Sequence, residues 1–236
     1  MLIAILNQST AVQNADVATM TAAIASQIQT DVAPIWERAP AAVVFYSDPT
    51  AVPAGAYGVA VVDTIQEQPQ GVLGFHTEAQ VAQLWGIVAA QPELDNGGQK
   101  MTGDWSVSST LSHEVLEMFI DPACNLWAVN DQGSAYSLEV CDPVEAPTYP
   151  VSGVSVSNFV TPSWYDPQPP SGAQFDKMGQ LTAGFSILPG GYMVYETKGK
   201  GQEQWGTQYP SWRKATKTGQ MARTQLRLGQ AASYHM

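Results

Sequence analysis

Short apolar runs and one long helical period share the first half of the chain. Leu2–Leu6 reads as a buried strand. Val17, Met20, Ile24 and Ile28 then recur at helical spacing over residues 15–30, and Thr30-Asp31 followed by Pro34 ends the run. Ala41–Tyr46, Tyr57–Val62 and Gly71–Phe75 predict three further strands, the first closed by Ser47-Asp48-Pro49 and the second by Asp63. Residues 80–92 fit two templates. Val81, Leu84, Trp85 and Val88 suit a helix, but Gly86 interrupts it, and Leu84–Val88 suits a strand equally well. Past residue 125, Leu126–Val129 and Ser134–Val140 predict a hairpin around Asn130-Asp131-Gln132-Gly133. Val151–Val160 reads as one strand, residues 162–170 as a Pro-rich loop, and Phe185–Leu188 and Tyr192–Tyr195 as two runs flanking the turn Pro189-Gly190-Gly191. A strand, a helix and then several strands predict an α/β (α+β) fold: a mixed sheet with a crossover helix, followed by a loop-rich β region.

The stretch from Ser108 to Ile120 organises the rest. Val107, Leu111, Val115 and Met118 mark one apolar helix face, the Ser/Thr run before Leu111 offers N-cap oxygens, and Asp121-Pro122 is a stop. His113 and Glu117 are four residues apart, so their side chains stack on a second face, with Glu114 beside them. A divalent ion needs two ligands held about one turn apart on a rigid element and a base beside its open position. His113 and Glu117 are therefore the candidate metal ligands, and Glu114 is the candidate catalytic base for a metal-activated water. The alternative is an amphipathic helix whose His and Glu residues face solvent.

A second acidic cluster follows. Glu139, Asp142 and Glu145 lie on the segment that the hairpin delivers. If the hairpin folds back, one of them can complete the site. Glu139 lies in a strand, and Asp142 is pre-aimed by Pro143; these two rank together ahead of Glu145. Carboxylates close together with no basic neighbour in sequence favour a cation between them. His76 reads as a loop or core histidine. Cys141 has no partner at metal-binding spacing, and Tyr149 and Tyr192 are candidates for oxyanion contacts.

His113-Glu114-Val115-Leu116-Glu117 resembles the zincin metallopeptidase signature His-Glu-x-x-His with a carboxylate in place of the second histidine. The ordered series Ser112–Met118, Asp121-Pro122, Asn125-Leu126-Trp127, Glu139–Glu145, Val156–Val160 and Pro189–Tyr192 is similar to a group of bacterial and phage proteins with a metallopeptidase-like core, over roughly residues 40–195. The resemblance implies a zincin-like fold with a central motif helix, and it makes Leu84–Val88 the edge strand that pairs with an extended substrate. It also implies a third metal ligand at the range of Glu139 and Asp142. Its activity would be that of a metal-dependent hydrolase or peptidase acting on a peptide or protein; the alternative is a non-catalytic structural protein, such as a virion component in a multi-subunit assembly, with a degenerate or structural metal site. The expected cofactor is a divalent metal ion, zinc first. Glu117 in place of histidine lowers the net charge on the ion, weakens its acidification of water, and opens the site to manganese, magnesium or calcium.

Charge divides the chain. The protein has 236 residues and a formal net charge of −11. Residues 1–197 hold three basic residues against twenty acidic ones, and residues 198–236 hold seven basic residues against Glu203 alone. The expected organisation is a single domain over 1–197 and a basic, extended or disordered tail over 198–236. The acidic body excludes nucleic acid, and only the tail, with Trp205 and Trp212 among its cations, offers a phosphate contact. Cys124 and Cys141 are too few for a disulfide framework. The apolar N-terminal run ends after six residues and has no basic residues before it, so neither a signal peptide nor a membrane span is expected, and the cytoplasm or a virion is the expected location.

Overall fold

The computed structural model describes residues 1–65, 73–81, 84–208 and 212. In chain order these form β1 (Leu2–Asn7), α1 (Asn14–Gln27), α2 (Ala33–Ile35), β2 (Ala42–Tyr46), β3 (Tyr57–Val62), β4 (Gly74–Val81), β5 (Leu84–Ala89), α3 (Gln91–Asp95) and α4 (Val107–Ile120). The second half contributes β6 (Trp127–Val129), β7 (Ser134–Ser137), β8 (Thr148–Val151), β9 (Val154–Ser157), β10 (Tyr192–Thr197) and β11 (Lys200–Trp205). The fold is mixed α/β with several sheets and few helices.

Five strands form the main sheet in the order β2-β1-β3-β5-β4. β1 runs parallel to both β2 and β3, and β3 is parallel to β5. β4 is antiparallel to β5 and lies at the edge. Parallel neighbours need a crossover, and α1 with α2 supplies it between β1 and β2. A four-stranded sheet, β11-β10-β7-β6, and the two-stranded β8-β9 follow. One apolar cluster joins these parts, from Ile3 and Ile5 through Met20 and Ile24 to Leu111, Phe159 and Met193.

α4 lies at the centre, packed against α1, β4, β5 and β9. Every residue from Val107 to Ile120 is buried. The solvent-facing alternative for its polar side is therefore excluded: Ser112, His113, Glu114 and Glu117 point into the protein. Polar groups are buried at low cost only when partnered. Ser112 Oγ donates to Gln27 Oε1 at 2.7 Å and accepts from the Ser157 amide at 3.1 Å.

Several sequence expectations change. Leu84–Val88 is a strand, but it lies between β3 and β4, so the edge position falls to β4. Gly86 interrupts the helical pattern because β5 approaches α4 there: a Cβ at Gly86 would sit 3.2 Å from Met118 Cε. The helix cap is Ser106 rather than the later Ser/Thr run, with its hydroxyl accepting from the Ser109 amide. In place of the single strand expected over Val151–Val160, β8 ends at Val151, Ser152 (φ 51°) and Gly153 (φ 82°) form a two-residue turn, and β9 covers only Val154–Ser157. Phe185 has φ 51° and Phe185–Leu188 is not a strand. The chain also passes position 197 inside a hairpin, since Lys198 and Gly199 turn β10 into β11. Gly71, the start of the expected fourth strand, and most of the basic tail lie outside the described residues.

Candidate metal centre

Three elements converge on one buried cluster. α4 brings His113, Glu114 and Glu117; β4 brings His76; the segment after β7 brings Glu139, Cys141 and Asp142. α4 is fixed at its start by the Ser106–Ser109 capping box and at its end by Arg38, whose Nη1 donates to the carbonyls of Phe119 and Ile120 at 3.3 and 2.8 Å. The acidic segment is held from both sides. The Val160 amide donates to the Val140 carbonyl at 2.7 Å, and the Leu188 amide to the Pro143 carbonyl at 2.9 Å. Gly191 passes so close that a Cβ would lie 2.2 Å from the Pro143 oxygen, which is the reason for glycine in the Pro189-Gly190-Gly191 turn.

His113 Nε2 lies 3.3 Å from Glu117 Oε1 and 3.1 Å from Asp142 Oδ1. The Asp142 contact lacks the alignment of a directed hydrogen bond, and Oδ1 is buried. Glu117 Oε1 also accepts from the Cys141 amide at 3.2 Å. Ligand atoms of His113, Glu117 and Cys141 all lie within 4.8 Å of one another. On the other side, His76 Nδ1 lies 3.4 Å from Glu114 Oε2 and 3.7 Å from Glu117 Oε2, and His76 Nε2 lies 4.0 Å from Glu139 Oε2. His76, Glu117 and Glu139 form a second convergent set.

The electrostatics follow from burial of several acids together. Glu117 is pushed up to about 8 by burial and by the neighbouring Asp142 and Glu139 carboxylates, against the pull of His113. Burial draws the His113 imidazole down, but Glu117, Asp142 and Cys141 outweigh it and hold it well above its ordinary value. His76 is raised in the same way: burial opposes, and Cys124, Glu114 and Glu139 prevail. Burial pushes the Cys141 thiol well up.

The cluster fits a cation. Metal–ligand bonds of about 2.0–2.2 Å place adjacent donor atoms roughly 3–3.6 Å apart. The contacts of His113 with Glu117 and Asp142, and of His76 with Glu114, fall in that range. Nitrogen, sulfur and carboxylate oxygen together suit zinc or another first-row dication.

The four metal-ligand candidates named from sequence, His113, Glu117, Glu139 and Asp142, all come into this cluster. Glu114 does as well, turned toward His76 and nearly sealed, with 4% of its side chain exposed. Gly74 makes room for it: a Cβ there would lie 2.7 Å from Glu114 Oε1. Glu145 is not among the converging ligand atoms of the described residues. Tyr149 is committed elsewhere, donating to Asp31 and accepting from Gln27. Sequence reasoning set His76 aside as a loop or core histidine and did not single out Tyr165. The Tyr165 phenol is raised by burial and by Glu139, Glu117 and Asp142. His76 lies inside β4, past the Phe75 at which the sequence ended that strand. Comparison of the chain with known protein families, curated proteins and solved structures found no match.

Proposed function

We propose that this protein binds a divalent cation, zinc first, in the buried cluster of α4, β4 and the 139–142 segment, and that the cation acts as a structural staple between these three elements. The observation that carries this reading is the place of His113 Nε2, 3.3 Å from Glu117 Oε1 and 3.1 Å from Asp142 Oδ1, in side chains exposed by no more than 11%. Burying such a set without a counter-cation is costly, and among the described residues the ion pairs of Glu117 and Asp142 are with histidines alone. The test is elemental analysis of the purified protein beside His113→Ala. A stoichiometric metal that disappears in the variant supports the reading; a metal-free wild type that takes up no added zinc or manganese ends it. As a staple, the cation suits a subunit of a larger assembly such as a virion, where copurification with partner chains and absence of peptide turnover are expected.

A second reading, a zincin-like metal-dependent hydrolase, is favoured by the layout. A mixed sheet with the antiparallel edge strand β4 precedes a helix with His113 and Glu117 one turn apart. A bound dication would acidify a coordinated water. Glu114 would hold the proton, and His113 and Glu139, the most exposed side chains of the cluster at 11% each, mark the side open to substrate. Glu114→Gln should then keep the metal and abolish hydrolysis of a peptide library. Turnover that survives the change removes Glu114 from the role.

A further inference from the structure

The two oxygens of the Glu117 carboxylate face different histidines. Oε1 is 3.3 Å from His113 Nε2, and Oε2 is 3.7 Å from His76 Nδ1. Each histidine has its own acids. Asp142 and the sulfur of Cys141 stand with His113; Glu114 and Glu139 stand with His76. From this arrangement we infer that the cluster holds two divalent cations, one on the His113 side and one on the His76 side, with Glu117 as the bridging carboxylate.

The inference rests on the metal-binding reading above and doubles its capacity. Charge counting supports it. Glu114, Glu117, Glu139 and Asp142 bring four formal negative charges, and their side chains are 4%, 2%, 11% and 4% exposed. A Cys141 thiolate on the His113 side would add a fifth. One dication offsets two of the five and two dications offset four, with both imidazoles neutral. Geometry supports it independently. His76 Nε2 is buried among acids, with the Cys124 thiol beside the ring, and makes no aligned hydrogen bond. An imidazole nitrogen left in that state is a lone pair or a proton waiting for a partner. Carboxylates that bridge two metals hold them about 3.5–4 Å apart, which matches one carboxylate reaching two adjacent ligand sets. The two positions differ in chemistry. A thiol stands beside each histidine, Cys141 at His113 and Cys124 at His76, and the His76 side, with Glu114 and Glu139, is the richer in carboxylate oxygen and the better suited to a harder ion such as manganese.

The test counts ions in the full-length chain after chelation, dialysis and reloading with Mn2+ or Zn2+ alone. Wild type is expected to retain two ions per chain and His76→Gln one. At saturation with Mn2+, wild type is expected to give the electron paramagnetic resonance of an exchange-coupled pair, with its hyperfine spacing halved, a readout that needs no variant to fold. A single ion per chain, an isolated-ion spectrum at saturation and an unchanged count in His76→Gln would overturn the pair while leaving the metal centre in place. No ion under any loading overturns both this inference and the reading beneath it.

Discussion

Ser112 shows how α4 keeps a polar face inside the protein. Its hydroxyl satisfies both the Gln27 amide oxygen and the Ser157 N–H, and Gln27 Nε2 in turn donates to the Ser157 carbonyl at 2.9 Å. Ser112→Ala would strand a buried donor and a buried acceptor, and is expected to cost about 1–3 kcal/mol in chemical denaturation. Gly74→Ala acts on the site itself. The added methyl would meet Glu114 Cγ at 2.9 Å as well as its Oε1, so Glu114 must turn away from His76. The expected result is weaker metal retention with little loss of fold, read by competitive chelator titration beside circular dichroism. His113, Glu114 and Glu117 were legible because one helical period holds all three. His76 was not, because its approach depends on how β4 pairs with β5, and a pairing between strands leaves no spacing to read along the chain.

At the scale of elements, the strands of the main sheet were visible as apolar runs, but their order was not. Strand order is set by non-local pairing, so Leu84–Val88 could be recognised as a strand and still be placed on the wrong side of β4. Burial of the whole of α4 was hidden for a related reason: its serines and carboxylates read as a wet face until their partners on α1, β4 and β9 are in place. Two elements owe their ends to single side chains. Arg38 covers the last carbonyls of α4, where a cation also meets the negative end of the helix dipole. Arg38→Ala is expected to cost about 0.5–1 kcal/mol, a small value because the side chain is exposed, and urea denaturation would measure it. Asp63, at the end of β3, accepts from the Ser9 and Thr10 hydroxyls and from the Ala11 amide, contacts that lower it from 3.8 to about 2. A carboxyl depressed by folding contributes stability above its unfolded value and loses that contribution as pH falls through its folded value. Asp63→Asn should therefore be less stable than wild type at neutral pH, with the difference closing between pH 4 and about 2.

For the whole molecule, the cluster is the place where the two halves of the chain meet. β4 belongs to the main sheet, α4 crosses the centre, and Glu139 to Asp142 lead out of the second sheet toward β8. A cation held by all three binds the folded state and finds no such set in an unfolded chain, so its binding free energy adds to folding stability. At a free metal concentration a hundred times the dissociation constant, mass action gives about 2.7 kcal/mol. For a domain of this size each kcal/mol moves the melting temperature roughly 2–4 °C, so the loaded protein should melt roughly 5–11 °C above the chelated one. The shift should grow with the logarithm of metal concentration and shrink in His113→Ala, whose chelated form sets the baseline. A melting curve that ignores both chelator and added metal would mean that the histidines and carboxylates hold one another through protons alone.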